Sequence, residues 1–224
     1  METNTYITEL QHVFQENANV QKAAQQTAYL KNQFSFYGLT SPQRRALQKP
    51  FLAKKYLPEK KTAIQICKAL WRKPKREFHY FSQELIGKYQ KMDKDDIDFF
   101  EWMLSNNSWW DTVDYIAVNL VGNYFTRFPE ERLQVIDKWL QSGNIWLQRS
   151  CLLFQLKYKL NTDTRLLVYC IESLLGSKEF FVNKAIGWCL RQYSRTNSNW
   201  VLEFVEKHPL LSNLSRKEAI RLIK

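Results

Sequence analysis

The sequence predicts an all-α fold, an α-solenoid of stacked helical hairpins of the HEAT-like kind, and three observations predict it. Apolar residues recur every three or four positions along almost the whole chain, which is the period of an amphipathic helix. Glycine and proline, which interrupt helices, number only six each among 224 residues. Tyrosine closes four apolar segments at intervals of 35, 34 and 35 residues, at Tyr89, Tyr124, Tyr158 and Tyr193. A period of this length with two helices in each repeat is typical of α-solenoids, and we expect Tyr89, Tyr124 and Tyr158 in the core.

The apolar periodicity places short helices along the chain, joined by loops of a few residues. The predicted ranges are 5–16, 19–34, 42–55, 60–71, 75–90, 94–106, 109–126, 130–141, 144–160, 163–175, 178–194, 197–207 and 214–223. Pro42 and Pro129 suit a first helical turn, and Asp163 suits an N-cap. Pro50 should end or kink the helix over 42–55. We predict a single domain over residues 1–224, in which the second helices of the hairpins line a concave basic face.

The charge of the chain points to an anionic partner. Lysine and arginine number 33 against 22 acidic residues, a net charge of +11, and such an excess attracts nucleic acid or an anionic membrane surface. Residues 54–76 carry nine basic side chains against Glu59 alone. A charged run is also the ordinary composition of a solvated face, so both interpretations of this stretch stay open.

Several classes of protein are excluded by composition. The six glycines stand apart, whereas nucleotide-binding loops need clustered glycines. The four cysteines and three histidines are scattered, so we expect no metal site and no cofactor. Separated cysteines suit core positions in a reducing cytoplasm. No apolar run reaches the roughly 18 residues of a membrane span, and the N-terminal residues do not read as a signal peptide. We therefore expect a cytoplasmic protein that does not bind membranes.

A stripe of cations around one aromatic ring lies in the last long predicted helix. Lys184, Trp188, Arg191 and Arg195 follow at spacings of four, three and four, which places them on one helical face. Arginine matches phosphate oxygens, and a tryptophan face packs on sugar or on a cationic base. The alternative is that Trp188 belongs to the core and the arginines are ordinary surface residues.

An acidic residue interrupts this cationic series one repeat earlier. Counted back from the closing tyrosines, the region that holds Arg149 and Lys184 in later repeats holds Asp114, and Trp110 shares its face. A carboxylate weakens phosphate binding, but it stabilises the oxocarbenium-like sugar that forms when an N-glycosidic bond breaks. The alternative is a structural aspartate that caps a helix or pairs with a neighbouring arginine; Asp111 suits that structural part better.

In addition to these predictions from the residues alone, the chain resembles a known family from about residue 5 to its end. It is similar to the bacterial alkylpurine DNA glycosylases built of HEAT-like repeats, the AlkD family of DNA alkylation repair enzymes. The segments that carry the resemblance are Ala28-Tyr-Leu-Lys-Asn-Gln-Phe, Gly38-Leu-Thr-Ser-Pro-Gln-Arg-Arg, Ser108-Trp-Trp-Asp-Thr-Val-Asp, Asn144-Ile-Trp-Leu-Gln-Arg and Ser177-Lys-Glu-Phe-Phe-Val-Asn-Lys-Ala-Ile-Gly-Trp.

The resemblance implies roles for individual residues. The catalytic aspartate of the family matches Asp114, and its two tryptophans beside the damaged nucleotide match Trp110 and Trp188. Its phosphate-contacting arginine matches Arg149, and a tyrosine near the DNA matches Tyr29; apart from the resemblance, we also expect Lys184, Arg191 and Lys157 to bind DNA. The implied activity is excision of N3- and N7-alkylated purines from double-stranded DNA without base flipping, by a monofunctional enzyme that needs no cofactor. We expect it to act as a monomer.

Two other classes of function remain as alternatives. One is a DNA-binding solenoid without catalysis that reads the shape of DNA, which would need the basic stripe but not Asp114 beside Trp110. The other is a solenoid scaffold for proteins, which the net charge and the Trp-Arg stripes disfavour.

Overall fold

The computed structural model describes residues 3–223, and within that range the chain forms helices and turns with no strand. An isolated bridge joins Ser35 and Lys75. The predicted all-α class, with helical hairpins following one another along the chain, is confirmed. The chain divides into two compact units, with the division between Lys91 and Met92.

The first unit contains five α-helices within the described residues. They are α1 (Thr3–Glu16), α2 (Val20–Tyr29), α3 (Ser41–Gln48), α4 (Lys60–Trp71) and α5 (Arg76–Ile86). Asn19 caps α2 by accepting a hydrogen bond from the backbone N–H of Lys22, as sequence preferences for N-caps lead one to expect. The core of this unit is aromatic, with Tyr6, Phe14 and Trp71 almost fully buried.

Two helix ends in the first unit differ in how well the sequence predicts them. The helix predicted over 42–55 ends at Gln48, before Pro50, as expected. The helix predicted over 19–34 is too long, because α2 ends at Tyr29. Lys31 and Asn32 then adopt φ values of 58° and 60°, a left-handed conformation that cannot continue a right-handed helix.

The basic stretch 54–76 is not wholly a solvated face. Arg76 is fully buried, with its guanidinium carbon 3.8 Å from the centre of the Phe34 ring. Its Nη1 lies 2.8 Å from Nδ1 of His79. Burial, and then the charge of Arg76, lower the pKa of His79 to about 3, so this imidazole is neutral at physiological pH.

The second unit carries helices α6 to α14. They are α6 (Asp96–Ser105), α7 (Trp110–Tyr115), α8 (Gly122–Arg127), α9 (Arg132–Gln141), α10 (Ile145–Leu153), α11 (Thr164–Glu172), α12 (Phe180–Ser194), α13 (Ser198–Lys207) and α14 (Asn213–Ala219). In chain order the hairpins are α6 followed by α7 and α8, α9 followed by α10, and α11 followed by α12. Their second helices begin at residues 110, 145 and 180, so the predicted repeat of about 35 residues is present in the structure.

The helix predicted over 109–126 contains a π-helical segment, Ile116–Val121, between α7 and α8. A π-turn accommodates one residue more than an α-turn. Asp114 precedes Tyr124 by ten residues, whereas Arg149 precedes Tyr158 by nine. The π-helical segment absorbs this extra residue, which lets both ends of the helix keep their register in the repeat.

Of the closing tyrosines, Tyr124 is buried in the core as expected, whereas Tyr89 and Tyr158 are only half-buried. The Tyr124 hydroxyl donates a hydrogen bond to the carbonyl of Lys94 at 2.9 Å, and that of Tyr158 donates to the carbonyl of Gly122 at 2.6 Å. These two bonds therefore tie Tyr124 and Tyr158 to a turn or helix about one repeat earlier.

The helix predicted over 144–160 is also too long, since α10 ends at Leu153. The side chain of Gln155 accepts from the N–H of Asp163 at 2.8 Å and donates to its carbonyl at 3.2 Å. These two bonds hold the connection into α11 in a turn. They form between residues eight apart in sequence, so helical periodicity does not report them.

Candidate functional site

A cavity of about 370 Å³ lies in the second unit and is bordered by the second helices of three successive hairpins. Its lining residues are Trp110, Asp114, Arg149, Phe180, Phe181, Lys184, Trp188 and Arg191. Helix α7 supplies the first two, α10 supplies Arg149, and α12 supplies the rest. The structure therefore brings together six of the eight side chains that the sequence nominated.

Arg149 and Asp114 form a two-pronged ion pair within this cavity. Arg149 Nε donates to Asp114 Oδ1 at 2.7 Å, and Nη2 donates to Oδ2 at 2.9 Å. Nη1 donates to the backbone carbonyl of Phe181 at 2.6 Å. These bonds engage three of the five N–H groups of the guanidinium, which is only 3% exposed. The direct phosphate contact expected of Arg149 stays a prediction. The alternative interpretation of Asp114 was that it pairs with a neighbouring arginine, and the structure shows such a pair.

The environment of Asp114 perturbs its ionisation. Burial raises the pKa of Asp114 above its ordinary value of 3.8, the hydrogen bonds and charge of Arg149 oppose that rise, and the nearby charge of Asp111 adds to it. The Asp114 side chain is 17% exposed. It is a largely desolvated carboxylate that still faces the cavity, which is the setting in which a charge interacts most strongly with a cation forming beside it.

Two cations on α12 share one carboxylate from α14. Lys184 Nζ lies 2.5 Å from Glu218 Oε2, and Arg191 Nη1 contacts Glu218 Oε1. Burial and the charges of Arg191, Arg221 and Arg149 lower the pKa of Lys184, while a carboxylate at hydrogen-bond distance favours the charged ammonium. The Lys184 and Arg191 side chains remain partly exposed to the cavity.

Aromatic rings form the walls of the cavity. Trp110 and Trp188 are both half-buried, so Trp188 is neither a wholly buried core residue nor a fully exposed one. The guanidinium carbon of Arg149 lies 5.9 Å from the centre of the Trp188 ring, within cation–π range. Phe180 is 59% exposed.

A second layer of rings supports these walls. Trp109, Trp146 and Phe181 stand at the starts of α7, α10 and α12 and contact one another, with ring centres 5.0 to 5.5 Å apart. Three consecutive repeats thus each contribute one ring to this cluster. Because the Phe181 backbone also accepts a bond from Arg149, the cluster fixes the position of the ion pair.

Two of the nominated residues lie elsewhere. Lys157 donates to Asn119 Oδ1 at 2.6 Å and lines a different cavity of about 500 Å³, together with Val118, Asn119, Asn123, Thr126, Arg132, Tyr158 and Asn161. Tyr29 is on α2 in the first unit and is 69% exposed. Their expected contacts with DNA stay predictions.

Three residues of the site were not predicted from the sequence: Phe180 and Phe181, which line the cavity, and Glu218, which contacts its cations. The two phenylalanines belong to the recurrent turn Ser177-Lys-Glu-Phe-Phe, which indicates a repeat rather than a site. Glu218 follows Lys184 by 34 residues, as Lys184 follows Arg149 by 35. Extending the repeat by one unit would have found it.

The described part of the chain gives little sign of other kinds of site. Among residues 3–223, no three His, Cys, Asp or Glu side chains come close enough to hold a metal ion. No helix in the same range is long and apolar enough to cross a membrane. All four cysteines are buried free thiols.

Comparison with known proteins points to one family. Residues 10–223 match the family model described as DNA alkylation repair enzyme. Among solved structures, the chain is similar to a predicted DNA alkylation repair enzyme from Enterococcus faecalis, with 32% sequence identity and a TM-score of 0.85. That match covers 92% of this chain and 96% of the other. No curated protein matches the chain significantly.

Proposed function

We propose that this chain, which belongs to the DNA alkylation repair enzyme family, is a monofunctional DNA glycosylase that excises cationic N3- and N7-alkylated purines from double-stranded DNA. The observation that carries the proposal is the Asp114 carboxylate. It is mostly buried, held by two hydrogen bonds from Arg149, and faces a cavity that Trp110 and Trp188 also line.

The chemistry assigned to Asp114 is electrostatic. Alkylation at N3 or N7 gives the purine a positive charge, so the bond between the base nitrogen and C1′ of the deoxyribose breaks with its electron pair going to the base. The base leaves as a neutral molecule and the sugar carries the positive charge. Asp114 stabilises this oxocarbenium-like sugar, and a water molecule adds to C1′ and gives up a proton. No protonation of the leaving base is required.

Lys184 and Arg191 are assigned to the phosphates that flank the damaged nucleotide. Both line the cavity beside Asp114, and both carry charged N–H groups that can donate hydrogen bonds to phosphate oxygens. Trp110 and Trp188 are assigned to the deoxyribose and its backbone, against which their half-buried faces would pack. The free, buried cysteines accord with a reducing compartment such as the cytoplasm.

The cavity lining favours excision without base flipping. Enzymes that flip a base read it by hydrogen bonds to its Watson–Crick edge. The lining consists of aromatic rings and charged groups, with no hydroxyl or amide side chain. Such a lining suits a sugar and its phosphates better than the edge of a purine, so the base is proposed to stay in the duplex. Excision should then extend from methyl adducts to bulkier N3 adducts.

The activity is tested by incubating the protein with a duplex that contains one 7-methylguanine, followed by alkaline cleavage at any abasic site. Cleavage at the lesion that is absent from an unmodified duplex is the expected result. Tight binding of the same duplex without excision would overturn the glycosylase assignment and support the non-catalytic DNA-binding alternative.

The partner is tested by the salt dependence of binding. Contacts with about four to seven phosphates predict that the logarithm of the binding constant falls with the logarithm of the salt concentration with a slope of about −4 to −6. A slope near zero would remove nucleic acid as the partner.

A further inference from the structure

Four charged residues in the cavity wall or directly behind it follow the repeat of the chain. Asp114, Arg149, Lys184 and Glu218 are separated by 35, 35 and 34 residues and lie on α7, α10, α12 and α14. The outer two are acidic and the inner two are basic. Arg149 pairs with Asp114 on one side, and Lys184 pairs with Glu218 on the other. The two like-charged inner residues are therefore each held by a carboxylate of the outer repeat next to them.

Glu218 lies behind the cations and not in the cavity itself. Its side chain is 7% exposed, whereas those of Lys184 and Arg191 are 37% and 22% exposed. The cations line the cavity and Glu218 does not. An ammonium has three N–H donors and a guanidinium has five, so each cation can bond to Glu218 and to a phosphate at once.

Close packing of α14 against α12 places this carboxylate. Gly187 lies between Lys184 and Arg191 on α12, and a Cβ built on it would come within 2.5 Å of Glu218 Cβ and 2.9 Å of the Ser215 carbonyl oxygen. Only a residue without a side chain leaves room for α14 at this distance. Ser215 Oγ also donates to the Asn183 carbonyl at 2.8 Å, which anchors the start of α14 on α12.

We propose that Glu218 is a positioning residue for the glycosylase reaction, which holds Lys184 and Arg191 at fixed places on the cavity wall so that the flanking phosphates set the sugar against Asp114. This inference rests on the proposed function. Two adjacent cations repel each other, and without a shared anion they would separate and become mobile. Glu218 keeps them together and directs their remaining donors to the substrate.

The test compares Glu218→Gln with Glu101→Gln as a matched control. Glu101 is on α6 of the same unit and accepts hydrogen bonds from Lys138 Nζ and Trp139 Nε1, both at 2.8 Å, but it does not line the cavity. Both variants remove one negative charge, so they change the net charge of the protein equally. Two quantities are measured: the single-turnover excision rate on the 7-methylguanine duplex, and the Kd for an undamaged duplex.

In Glu218→Gln we expect excision to slow about 10- to 100-fold, the size of effect that a misplacement of about 1 Å produces. The Kd for undamaged DNA should stay the same or fall, because mobile cations still bind phosphate and a repelling charge has gone. Glu101→Gln should excise at the wild-type rate. Equal excision rates in the two glutamine variants would overturn the proposal, and so would losses of excision and binding in the same proportion.

Glu218→Asp covers the case in which the glutamine variant does not fold, as judged by its thermal unfolding. It keeps the charge but withdraws the carboxylate by one methylene. It should therefore excise more slowly than the wild type, while its Kd for undamaged DNA equals that of the wild type. An Asp variant with the wild-type rate would overturn the proposal. Failure of the wild-type protein to excise 7-methylguanine would instead reject the proposed function, and the excision role of Glu218 with it.

Discussion

The guanidinium of Arg149 holds the carboxylate of Asp114 through two parallel hydrogen bonds, 2.7 Å from Nε to Oδ1 and 2.9 Å from Nη2 to Oδ2. This geometry leaves the carboxylate ionised and fixed while it is largely removed from water. An isolated buried carboxylate would tend to take up a proton, and a solvated one would be screened by water. The pair thus provides a negative charge that is stable before the reaction and effective during it.

Replacement of the carboxylate by an amide should separate catalysis from binding. In Asp114→Asn we expect excision of 7-methylguanine to slow by about 10- to 1000-fold, as for loss of one transition-state contact. Binding should hold or tighten, because a charge that repels phosphate has gone. Single-turnover excision and duplex Kd are the measurements. Asp111→Asn on the same helix is the control and should keep the wild-type rate near neutral pH; wild-type excision by Asp114→Asn would make Asp114 structural.

Removal of Arg149 should cost stability as well as activity. In Arg149→Met the Asp114 carboxylate is left buried without its partner, which we expect to lower the free energy of unfolding by about 3 kcal/mol. The double variant Asp114→Asn, Arg149→Met should lose less, because no unpaired charge remains. Urea denaturation of the wild type, the two single variants and the double variant measures the difference. If the double variant loses as much stability as the two single variants lose together, Asp114 and Arg149 are not energetically coupled.

Trp188 and Trp139 offer a comparison between a cavity wall and the core. Trp139 is fully buried, so Trp139→Ala should lower the free energy of unfolding by about 3–5 kcal/mol. Trp188 is half-buried, and Trp188→Ala should lose less stability but excise damaged DNA more slowly while it still binds undamaged duplex. Denaturation and excision assays on both variants show whether Trp188 acts as a cavity wall or as a core residue. A stability loss in Trp188→Ala equal to that in Trp139→Ala would assign Trp188 to the core.

The pH dependence of excision should report Asp114. Only the carboxylate stabilises a cationic sugar, and burial raises the pKa of Asp114 above 3.8. Excision should therefore fall as the pH is lowered through this raised pKa, and Asp114→Asn should lack that acidic limb. A rate profile corrected for spontaneous depurination provides the measurement; an identical acidic limb in Asp114→Asn would assign it to another group.

The same shift has a consequence for stability, with a definite sign. Between 3.8 and the higher folded-state pKa, the folded protein binds more protons at Asp114 than the unfolded chain does. The contribution of Asp114 to stability therefore decreases as the pH rises through this window. Denaturation of the wild type and Asp114→Asn across these pH values should show that the stability of the wild type, measured relative to the variant, falls as the pH rises. A difference between them that does not vary with pH would contradict the shift.

Several elements were predictable because their causes are local. Helix α4 coincides with its predicted range, and α3 stops before Pro50, since apolar periodicity and proline act within a few residues. The ends of α2 and α10 were not predictable in this way. The first depends on left-handed backbone at Lys31 and Asn32, and the second on the bonds of Gln155 to a later turn.

The candidate site likewise has features that the sequence determines and features that depend on helix packing. By itself, the sequence determined the helical class, the repeat of about 35 residues and the register that aligns Asp114, Arg149 and Lys184. It could do so because the helical period and the repeat length both follow from the spacing of residues along the chain. Only the tertiary structure decided that Arg149 is buried against Asp114 and that Glu218 holds Lys184 and Arg191 from behind. The pairings of Asp114 with Arg149 and of Lys184 with Glu218 join residues about one repeat apart. All of these contacts depend on how closely neighbouring helices approach, which the spacing of residues along the chain does not specify.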